Sequence, residues 1–350
     1  MDTITKKITD SSEAEEIYAQ AAQIIRSGGL VAFPTETVYG LGADGMNEAA
    51  SAKIYAAKGR PSDNPLILHI ADRGGLNRVA AKVSQKAEKL MDTFWPGPLT
   101  MIFEKKQEVP YGITGGLETV AVRMPSHSVA RRLIEESGTP IAAPSANTSG
   151  RPSPTQARHV AQDLDGRIDM LLDGGEVGIG LESTIVDMTT EPPVLLRPGY
   201  VTKEMIERVI GEVLLDPALQ EGVGRNVIPK APGMKYRHYA PKAELTIVEG
   251  ELSRVTQEIN RLAQEKRECG LKVGIIATEE TKSCYRNADI RVVGTRQDEE
   301  TIARHLFAIL REFDEMGTEC IFSEGFSEEN LGQAIMNRLV KAAGHRIIRL

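Results

Sequence analysis

Four short segments are rich in proline, glycine or small hydroxyl residues, and two of them also carry Lys or Arg. Three of the segments begin at the end of an apolar run that predicts a strand. Loops at strand ends are where α/β sheets place ligands, and hydroxyl and amide groups together with Lys or Arg suit oxyanions. Each segment taken alone is also compatible with an ordinary turn, which carries a solvated cation where Lys or Arg is present. Four of them in one chain predict an anion-binding pocket. They are Phe33–Gly40, Lys58–Pro61 with its continuation through Asn64 to Pro65, Ala143–Asn147 and Leu195–Gly199.

Arg123 interrupts an apolar strand pattern that runs from Val120 to Pro125. A guanidinium flanked by apolar residues must find a partner or suffer the cost of desolvation, and a ligand carboxylate would suit its planar fork. His69 lies near the end of another apolar run, where a single histidine is more typical of a satisfied core or rim residue. Ser183 is compatible with a ligand-binding residue and equally with the first residue of a strand.

Two common nucleotide-binding patterns are disfavoured. Gly40–Gly45 matches GxGxxG by letter, but a dinucleotide fingerprint needs a strand directly before it and an acidic residue about 20 positions on. A Pro-Thr-Glu-Thr segment intervenes here, and Asp72, which ends the next predicted strand, lies too far along. A Walker A loop is absent from the sequence, so any nucleotide phosphate must be held in another way.

Composition excludes several protein classes. The 350 residues carry 42 Lys and Arg against 49 Asp and Glu, a net charge of −7, whereas a generic nucleic-acid coat would need the opposite sign. Cys269, Cys284 and Cys320 are too few and too widely spaced for a disulfide framework or a CxxC zinc site, and they predict a reducing, cytoplasmic location. No apolar stretch approaches the ~18 residues of a membrane span, and no apolar signal core is expected at the N-terminus.

The elements that must position these loops alternate between strand and helix patterns. A length of 350 residues predicts two domains at ~100–200 residues each. The first begins with a capping box at Ser12, and it is predicted as an α/β or α+β domain around one twisted sheet. The pattern does not determine whether the strands of this sheet run parallel or antiparallel. The predicted strands are 30–33, 66–70, 99–103, 119–124, 140–143, 170–172, 184–186 and 194–196, and the predicted helices are 47–58, 84–94, 128–136, 155–164 and 202–210.

A basic connector follows this domain. Between Glu221 and Glu244 there are Lys and Arg residues but no acidic ones, and prolines and glycines interrupt any regular element. A solvated linker is the ordinary alternative, but Lys235–Tyr239 is denser in donors and aromatics than a spacer needs. The rest of the chain has a βαβ rhythm that predicts a small doubly wound domain. The predicted organisation is a first domain at 1–211, a connector at 212–241 and a small domain at 242–350.

Taken together, these motifs resemble the threonylcarbamoyl-AMP synthases. Lys58-Gly59-Arg60 with Ser145-Ala146-Asn147 matches that family's signature pair, and residues 232–241 followed by a small α/β domain resemble its two-domain form. The resemblance covers nearly the whole chain, in order, with no departure at a motif position. It implies a twisted open α/β sheet with a large concave cavity, of the YrdC-like type, and a small Rossmann-like domain. The other matching motifs are Pro34–Gly42, Trp95–Thr100 and Arg123–Pro125.

The resemblance implies a nucleotidyltransferase that condenses L-threonine, bicarbonate or CO2 and ATP to L-threonylcarbamoyladenylate and releases pyrophosphate. The product would feed the t6A modification at position 37 of tRNAs that read codons beginning with A, through a downstream tRNA threonylcarbamoyl transferase machinery. Direct contact with tRNA is left open, and no membrane contact is expected. Mg²⁺ is expected with ATP, and its ligands are not assigned.

The same resemblance assigns site residues by their motif positions. Lys58 and Arg60 would be catalytic, and Tyr236 and His238 of the connector would close over the nucleotide as a lid. L-Threonine would be held by Thr37, His69, Arg123, Ala143 and Ser183. ATP would be held by Lys58, Arg60, Asn64, Thr119, Ser145, Asn147, Ser153, Arg197, Tyr236 and His238.

This chemistry needs positioning more than covalent work by the protein. The threonine amine adds CO2 to give a carbamate, whose oxygen attacks the α-phosphorus while charge develops on pyrophosphate. Lys58, Arg60, Arg197 and Mg²⁺ would supply positive charge, and Arg123 would take the threonine carboxylate. Two alternatives stay open. An RNA-binding module leaves Arg123 unexplained, and a carbamoyl transferase that uses carbamoyl phosphate should carry zinc-finger or acylphosphatase-like segments.

Overall fold

A computed structural model describes residues 2–9, 13–221 and 239–350. They form two compact units. The larger takes the described residues up to 221 except 150–152 and 179–181, and the smaller takes those two short segments together with 239–350. Within these ranges, no helix is long and apolar enough to cross a membrane. The predicted capping residue Ser12 and the predicted lid residues Tyr236 and His238 lie outside the described residues.

The larger unit alternates strands and helices, and each strand and helix predicted from the sequence is present within two residues at either end. Its strands are β1 (Ile4–Lys7), β2 (Val31–Phe33), β3 (Gly40–Asp44), β4 (Ile67–His69), β5 (Leu99–Glu104), β6 (Thr119–Arg123), β7 (Ile141–Ala142), β8 (Met170–Asp173), β9 (Thr184–Asp187), β10 (Val194–Arg197) and β11 (Leu214–Leu215). Its helices are α1 (Glu13–Arg26), α2 (Glu48–Lys58), α3 (Arg73–Val79), α4 (Gln85–Phe94), α5 (Tyr111–Thr114), α6 (Ser128–Ser137), α7 (Ala157–Leu164), α8 (Lys203–Ile210) and α9 (Ala218–Glu221).

All eleven strands join one mixed sheet in the order β1-β8-β2-β3-β7-β4-β6-β5-β9-β10-β11. At its centre β4 and β6 run parallel, while β7 and β5 run antiparallel to them. This settles the strand order that the sequence leaves open. At one edge β11 pairs in parallel with β10, so the structure places a further strand within the segment predicted as the start of the connector.

The GxGxxG match overlaps strand β3, which pairs antiparallel with β2, and does not form a phosphate loop. A Cβ at Gly42 would lie 2.7 Å from Ile141 Cγ2 and 2.7 Å from Phe33 Cε1, so a side chain would clash with the core. Glycine inside a strand often marks such a close approach. The structure therefore excludes the dinucleotide-binding interpretation of this motif.

Helix α2 delivers two cations at a fixed place in the larger unit. Asn47 caps its N-terminus, because its side chain accepts a hydrogen bond from the Ala50 amide, and Gly59 ends it with a left-handed φ of +62°. Lys58 in the last turn is buried, although its neighbour Gly59 is exposed. The reversal of the chain at Gly59 then leads directly to Arg60.

The smaller unit contains a five-stranded sheet in which every pairing is parallel. On one face Val255 and Ile259 pack in a core with Ile275; on the other, a Cβ at Gly274 would lie 2.4 Å from the Phe313 ring. Helices on both faces of a parallel sheet make the doubly wound fold that the sequence predicts. The strands, in the order β14-β13-β15-β12-β16, are β12 (Glu244–Glu249), β13 (Val273–Thr278), β14 (Asp289–Gly294), β15 (Cys320–Glu324) and β16 (Ile347–Arg349), and the helices are α10 (Leu252–Glu268), α11 (Glu299–Glu315) and α12 (Asn330–Ala342), with a 3₁₀ turn at Lys282–Cys284.

Candidate active site

Strands β4 and β6 place His69 and Arg123 side by side at their carboxyl ends, and both side chains are buried. Arg123 donates through Nη1 to Thr37 Oγ1 at 2.9 Å and through Nε to the Gly97 carbonyl at 3.3 Å. Its Nη2 lies 2.6 Å from Glu36 Oε1. The structure thus gathers three of the residues predicted to hold threonine, namely Thr37, His69 and Arg123. We call them, together with Glu36, the Arg123 group.

The ion pair between Arg123 and Glu36 sets the charge of this group. Burial raises the pKa of Glu36, but the charge of Arg123 and hydrogen bonds from Arg123 and the Ser126 amide lower it more, so the carboxylate is ionised. Burial, followed by the charge of Arg123, lowers the pKa of His69 to about 3. Its Nδ1 lies 3.2 Å from the Ile67 carbonyl. His69 is therefore a neutral ring at physiological pH and does not serve as a proton donor there.

Glu36 is a site residue that the sequence does not single out. The sequence predicts a ligand carboxylate as the partner of Arg123, and the structure supplies a carboxylate of the chain itself. The available signal was position, because Glu36 adjoins Thr37 within a motif of otherwise uncharged residues. A buried guanidinium needs such compensation before any ligand arrives.

A second cluster joins Ser183, Thr100 and Arg197, all buried. Ser183 Oγ lies 2.7 Å from Thr100 Oγ1. Arg197 donates to Ser183 Oγ at 3.2 Å and to the Ser183 carbonyl at 3.0 Å. Thr100 is the register partner of Arg123 on β5 and β6, so this cluster lies level with the Arg123 group. Ser183 and Arg197 are therefore neighbours, although the sequence assigns them to different substrates.

Lys58 is tied to the Ser145-Ala146-Asn147 loop. Its buried ammonium donates to the carbonyl oxygens of Ser145 and Asn147, the latter at 2.5 Å. The loop is also fixed to the residue before β3, because the Ala146 amide donates to the Tyr39 carbonyl at 2.8 Å. Ser145 Oγ donates to Asn147 Oδ1 at 2.5 Å. The two halves of the signature pair are therefore one connected structure in which Lys58 holds the loop.

Arg60, Asn64 and Thr119 lie toward the opposite end of β4 and β6 from Arg123. Arg60 Nη2 donates to the carbonyls of Asn64 and Pro65, each at 3.3 Å. The side chain of Asn64 is fully buried, and neither its Oδ1 nor its Nδ2 has a hydrogen-bond partner among the described residues. Thr119 begins β6, and at ~3.3 Å per residue it is roughly 13 Å from Arg123 along the strand. We call these three residues the Asn64 group.

Ser153 and Ala143 are the remaining predicted residues that the structure describes. Ser153 is fully buried, and its Oγ donates at 2.5 Å to Glu182, the residue before Ser183. The Ala143 amide donates to the Ile67 carbonyl at 2.9 Å, which places Ala143 beside the start of β4. Glu182 is a second buried carboxylate that the sequence does not single out, and it links Ser153 to the neighbourhood of Arg197.

The arrangement suits the positioning of two anionic ligands. Cations, hydroxyls and amides on fixed elements can orient reacting groups and stabilise developing charge. Within the part of the chain that the structure describes, no group of three or more His, Cys, Asp or Glu side chains could hold a metal ion.

The chain is similar to known proteins along almost its whole length. Residues 23–199 match a family model described as "Telomere recombination", and residues 201–344 match one described as "Threonylcarbamoyl-AMP synthase, C-terminal domain". A threonylcarbamoyl-AMP synthase of Pyrococcus abyssi (strain GE5 / Orsay) is 53% identical over 331 residues, 94% of this chain and 95% of the relative. The protein of the same name from Bacillus subtilis (strain 168) is 52% identical over 344 residues, 98% and 97% of the two chains. The crystal structure of P. abyssi Sua5 complexed with L-threonine has a TM-score of 0.93 and 49% identity, covering 100% of both chains.

Proposed function

The chain belongs to the threonylcarbamoyl-AMP synthase family, and from that premise we propose how its residues divide the work between the substrates. It is an ATP-using enzyme that makes threonylcarbamoyl-AMP from threonine, bicarbonate and ATP for the t6A modification of tRNA. The observation that carries the division is the separation along β4 and β6 of the Arg123 group from the Asn64 group.

L-Threonine binds against the Arg123 group in this proposal. Its carboxylate joins the guanidinium, which Glu36 and Thr37 already hold in one orientation. His69 is neutral and packs edge-on against Phe33, so it offers an apolar wall to the threonine methyl. Ser183 and Ala143 complete the proposed threonine set. Support also comes from the P. abyssi relative, whose structure is complexed with L-threonine.

ATP binds between the Asn64 group and the loop that Lys58 holds. The Asn64 amide offers both a donor and an acceptor in a buried place, and a nucleotide that pairs with it would recover the cost of leaving it unpaired. Arg60 carries its positive charge beside that amide. The other proposed ATP contacts are Thr119, Ser145, Asn147, Ser153 and Arg197.

The reaction proceeds by positioning of the two ligands. The threonine amine adds CO2, the carbamate oxygen attacks the α-phosphorus of ATP, and pyrophosphate leaves. Arg60 and Arg197 stabilise the charge that develops on the phosphates, while Lys58 acts through the loop whose carbonyls it binds. Mg²⁺ enters bound to the triphosphate as part of the substrate in this proposal.

The connector predicted at 212–241, between domains at 1–211 and 242–350, begins with β11 and α9 of the larger unit, and in this proposal the part after α9 acts as a lid that shields the hydrolysable mixed anhydride. Tyr236 and His238 supply the contacts to the nucleotide. Replacing residues 231–241 by a Gly/Ser segment of equal length should reduce synthesis strongly, and ATP with Mg²⁺ and threonine should slow limited proteolysis near Lys235 in the unmodified protein. Full activity of the replacement, with cleavage that does not respond to ligands, would make the segment only a tether.

The product is proposed to pass to a downstream tRNA threonylcarbamoyl transferase machinery, since a mixed anhydride must be consumed before it hydrolyses. The proposed location is the cytoplasm. Cys269 and Cys284 are exposed thiols and Cys320 is a buried one, which suits a reducing compartment.

A comparison of two KM values tests the division between the substrates. Asn64→Ala should raise the KM for ATP about tenfold or more and leave the KM for threonine within about twofold, because ~1.4 kcal/mol of binding corresponds to a factor of ten. Thr37→Val should do the reverse, since it removes the hydroxyl that binds Arg123. Asn77→Ala, at an exposed asparagine on α3, is the matched control. Both site variants changing the same constant would contradict the division.

A further inference from the structure

Two short segments, 150–152 and 179–181, belong to the smaller compact unit although they lie within the first 200 residues of the chain. Each leads in one step to a residue of the candidate site. Ser153 directly follows the first segment and Glu182 directly follows the second. These two residues are joined by the hydrogen bond from Ser153 Oγ to Glu182 Oε1. The two segments therefore adjoin both ends of this bond.

The first segment is held residue by residue. Arg311 on α11 is 1% exposed, and its Nε and Nη2 both donate to the Pro152 carbonyl, at 3.1 and 2.6 Å. Arg151 Nη2 lies 3.6 Å from Asp314 Oδ2, one turn further along the same helix. The Ala240 amide donates to the Gly150 carbonyl at 2.9 Å. Two hydrogen bonds from one buried guanidinium to the same carbonyl make a strong and directional contact.

The second segment rests on the backbone of the same helix. Gly180 has a φ of +84°, and a Cβ placed on it would lie 2.5 Å from Arg304 Cα and 2.6 Å from the Ala303 carbonyl oxygen. Helix backbone cannot yield as a side-chain end can. An alanine at this position would therefore push the segment and α11 apart by about 1 Å to reach an ordinary contact of 3.4 Å.

We infer that α11 is a positioning element for the synthesis, and that Arg311 and Gly180 are its positioning residues. By holding 150–152 and 179–181, the helix fixes Ser153 and Glu182, and through Glu182 the adjoining Ser183 that Arg197 contacts. The inference rests on the proposed function, because it gives the helix a role in the site where both substrates meet. It assigns to Arg311 and Gly180 the task of keeping Ser153 and Glu182 in place.

The glycines of this chain provide a matched test. Gly180→Ala and Gly270→Ala both place an alanine at a left-handed φ, +84° and +82°, but a Cβ at Gly270 meets nothing within 4 Å. Both variants should lose stability because of the left-handed φ, and Gly180→Ala should lose more because its Cβ also meets the backbone of α11. Gly180→Ala should also lower kcat/KM by about 10- to 100-fold, because a displacement of ~1 Å in a positioned site costs up to ~10²-fold. Gly270→Ala should keep kcat and both KM values within about twofold.

Substitutions of Arg311 provide an independent test of the inference. Arg311→Met should lower kcat in the folded fraction, and Arg311→Lys, which keeps a cationic donor, should recover part of it. Glu324→Gln is the control, because Glu324 is equally buried in the smaller unit but binds Thr281 and Tyr285. It should lower the melting temperature without lowering kcat per folded molecule.

The inference is overturned if folded Gly180→Ala has the kinetics of the unmodified enzyme, or if Gly270→Ala loses as much activity. A failure of the proposed function would appear elsewhere, in the KM values of Asn64→Ala and Thr37→Val. The two failures are therefore distinguishable.

Discussion

Removing the ammonium of Lys58 should damage both the stability of the protein and its use of ATP. The Nζ of this buried residue donates to two carbonyls, those of Ser145 and Asn147. Hydrogen bonds from a charged donor contribute ~1.5–3 kcal/mol each, so Lys58→Met gives up ~3–6 kcal/mol in gross terms. The methionine needs no desolvation of a charge, which recovers part of this, and we expect a net loss of about 2–4 kcal/mol.

The same substitution releases the loop that carries Ser145 and Asn147, so kcat/KM for ATP should fall by about 10²-fold even in the folded fraction. Urea unfolding measures the free energy, and pyrophosphate release per folded molecule measures the activity. Lys53→Met is the control, because Lys53 is an exposed lysine of the same helix that donates to the Gly28 carbonyl at 2.6 Å. A Lys58→Met protein as stable as the parent, with its KM for ATP unchanged, would refute the role of Lys58 as the loop's anchor.

Three further outcomes are expected. Arg60→Gln should lower ATP turnover strongly but cost less than about 1 kcal/mol of stability, because its hydrogen bonds to the Asn64 and Pro65 carbonyls are long at 3.3 Å. Equal losses of stability in Arg60→Gln and Lys58→Met would contradict this. The NMR signals of the His69 ring should not titrate between pH 8 and 4.5, because burial lowers its pKa to about 3. The free energy of unfolding should fall as the pH drops below about 6.5, by up to ~1.4 kcal/mol per pH unit, since the unfolded chain then binds a proton that the folded one does not. A titration midpoint of the ring near pH 6.5 would show that His69 is accessible. The kcat/KM for serine should be ~10- to 200-fold lower than that for threonine, which is the usual discrimination that one methyl group provides. Equal kcat/KM values for the two amino acids would contradict the proposal that His69 contacts the threonine methyl.

The regular elements of the fold were largely predictable because apolar periodicity and caps are local signals. Helix α2 shows this, since Asn47 and Gly59 mark its two ends in the sequence. Strand β3 is not predicted from the sequence, in which its glycines indicate a phosphate loop by letter or a family motif but no strand. Gly42 is required by the Phe33 ring and Ile141, which are distant in sequence. Close approach of this kind leaves no local pattern.

The sequence indicates residues of the candidate site, but it does not indicate the contacts between them. The motifs indicate Lys58 and Arg123. In the sequence, however, Lys58 is 87 residues from its partner Ser145, and Arg123 is 86 residues from its partner Thr37. Such pairs are fixed by strand register and not by spacing in the sequence. For the same reason the compensating carboxylate Glu36 and the placement of Arg197 against Ser183 emerge only from the folded chain.

The central claim, that this chain joins threonine, bicarbonate and ATP at one site, is tested most directly by mass spectrometry of the product. The enzyme is incubated with ATP, Mg²⁺, L-threonine and ¹³C-labelled bicarbonate. We expect threonylcarbamoyl-AMP that contains one ¹³C atom, with one pyrophosphate released per molecule and no product when threonine is left out. Release of ADP and phosphate, or an adenylate that lacks the label, would contradict the account.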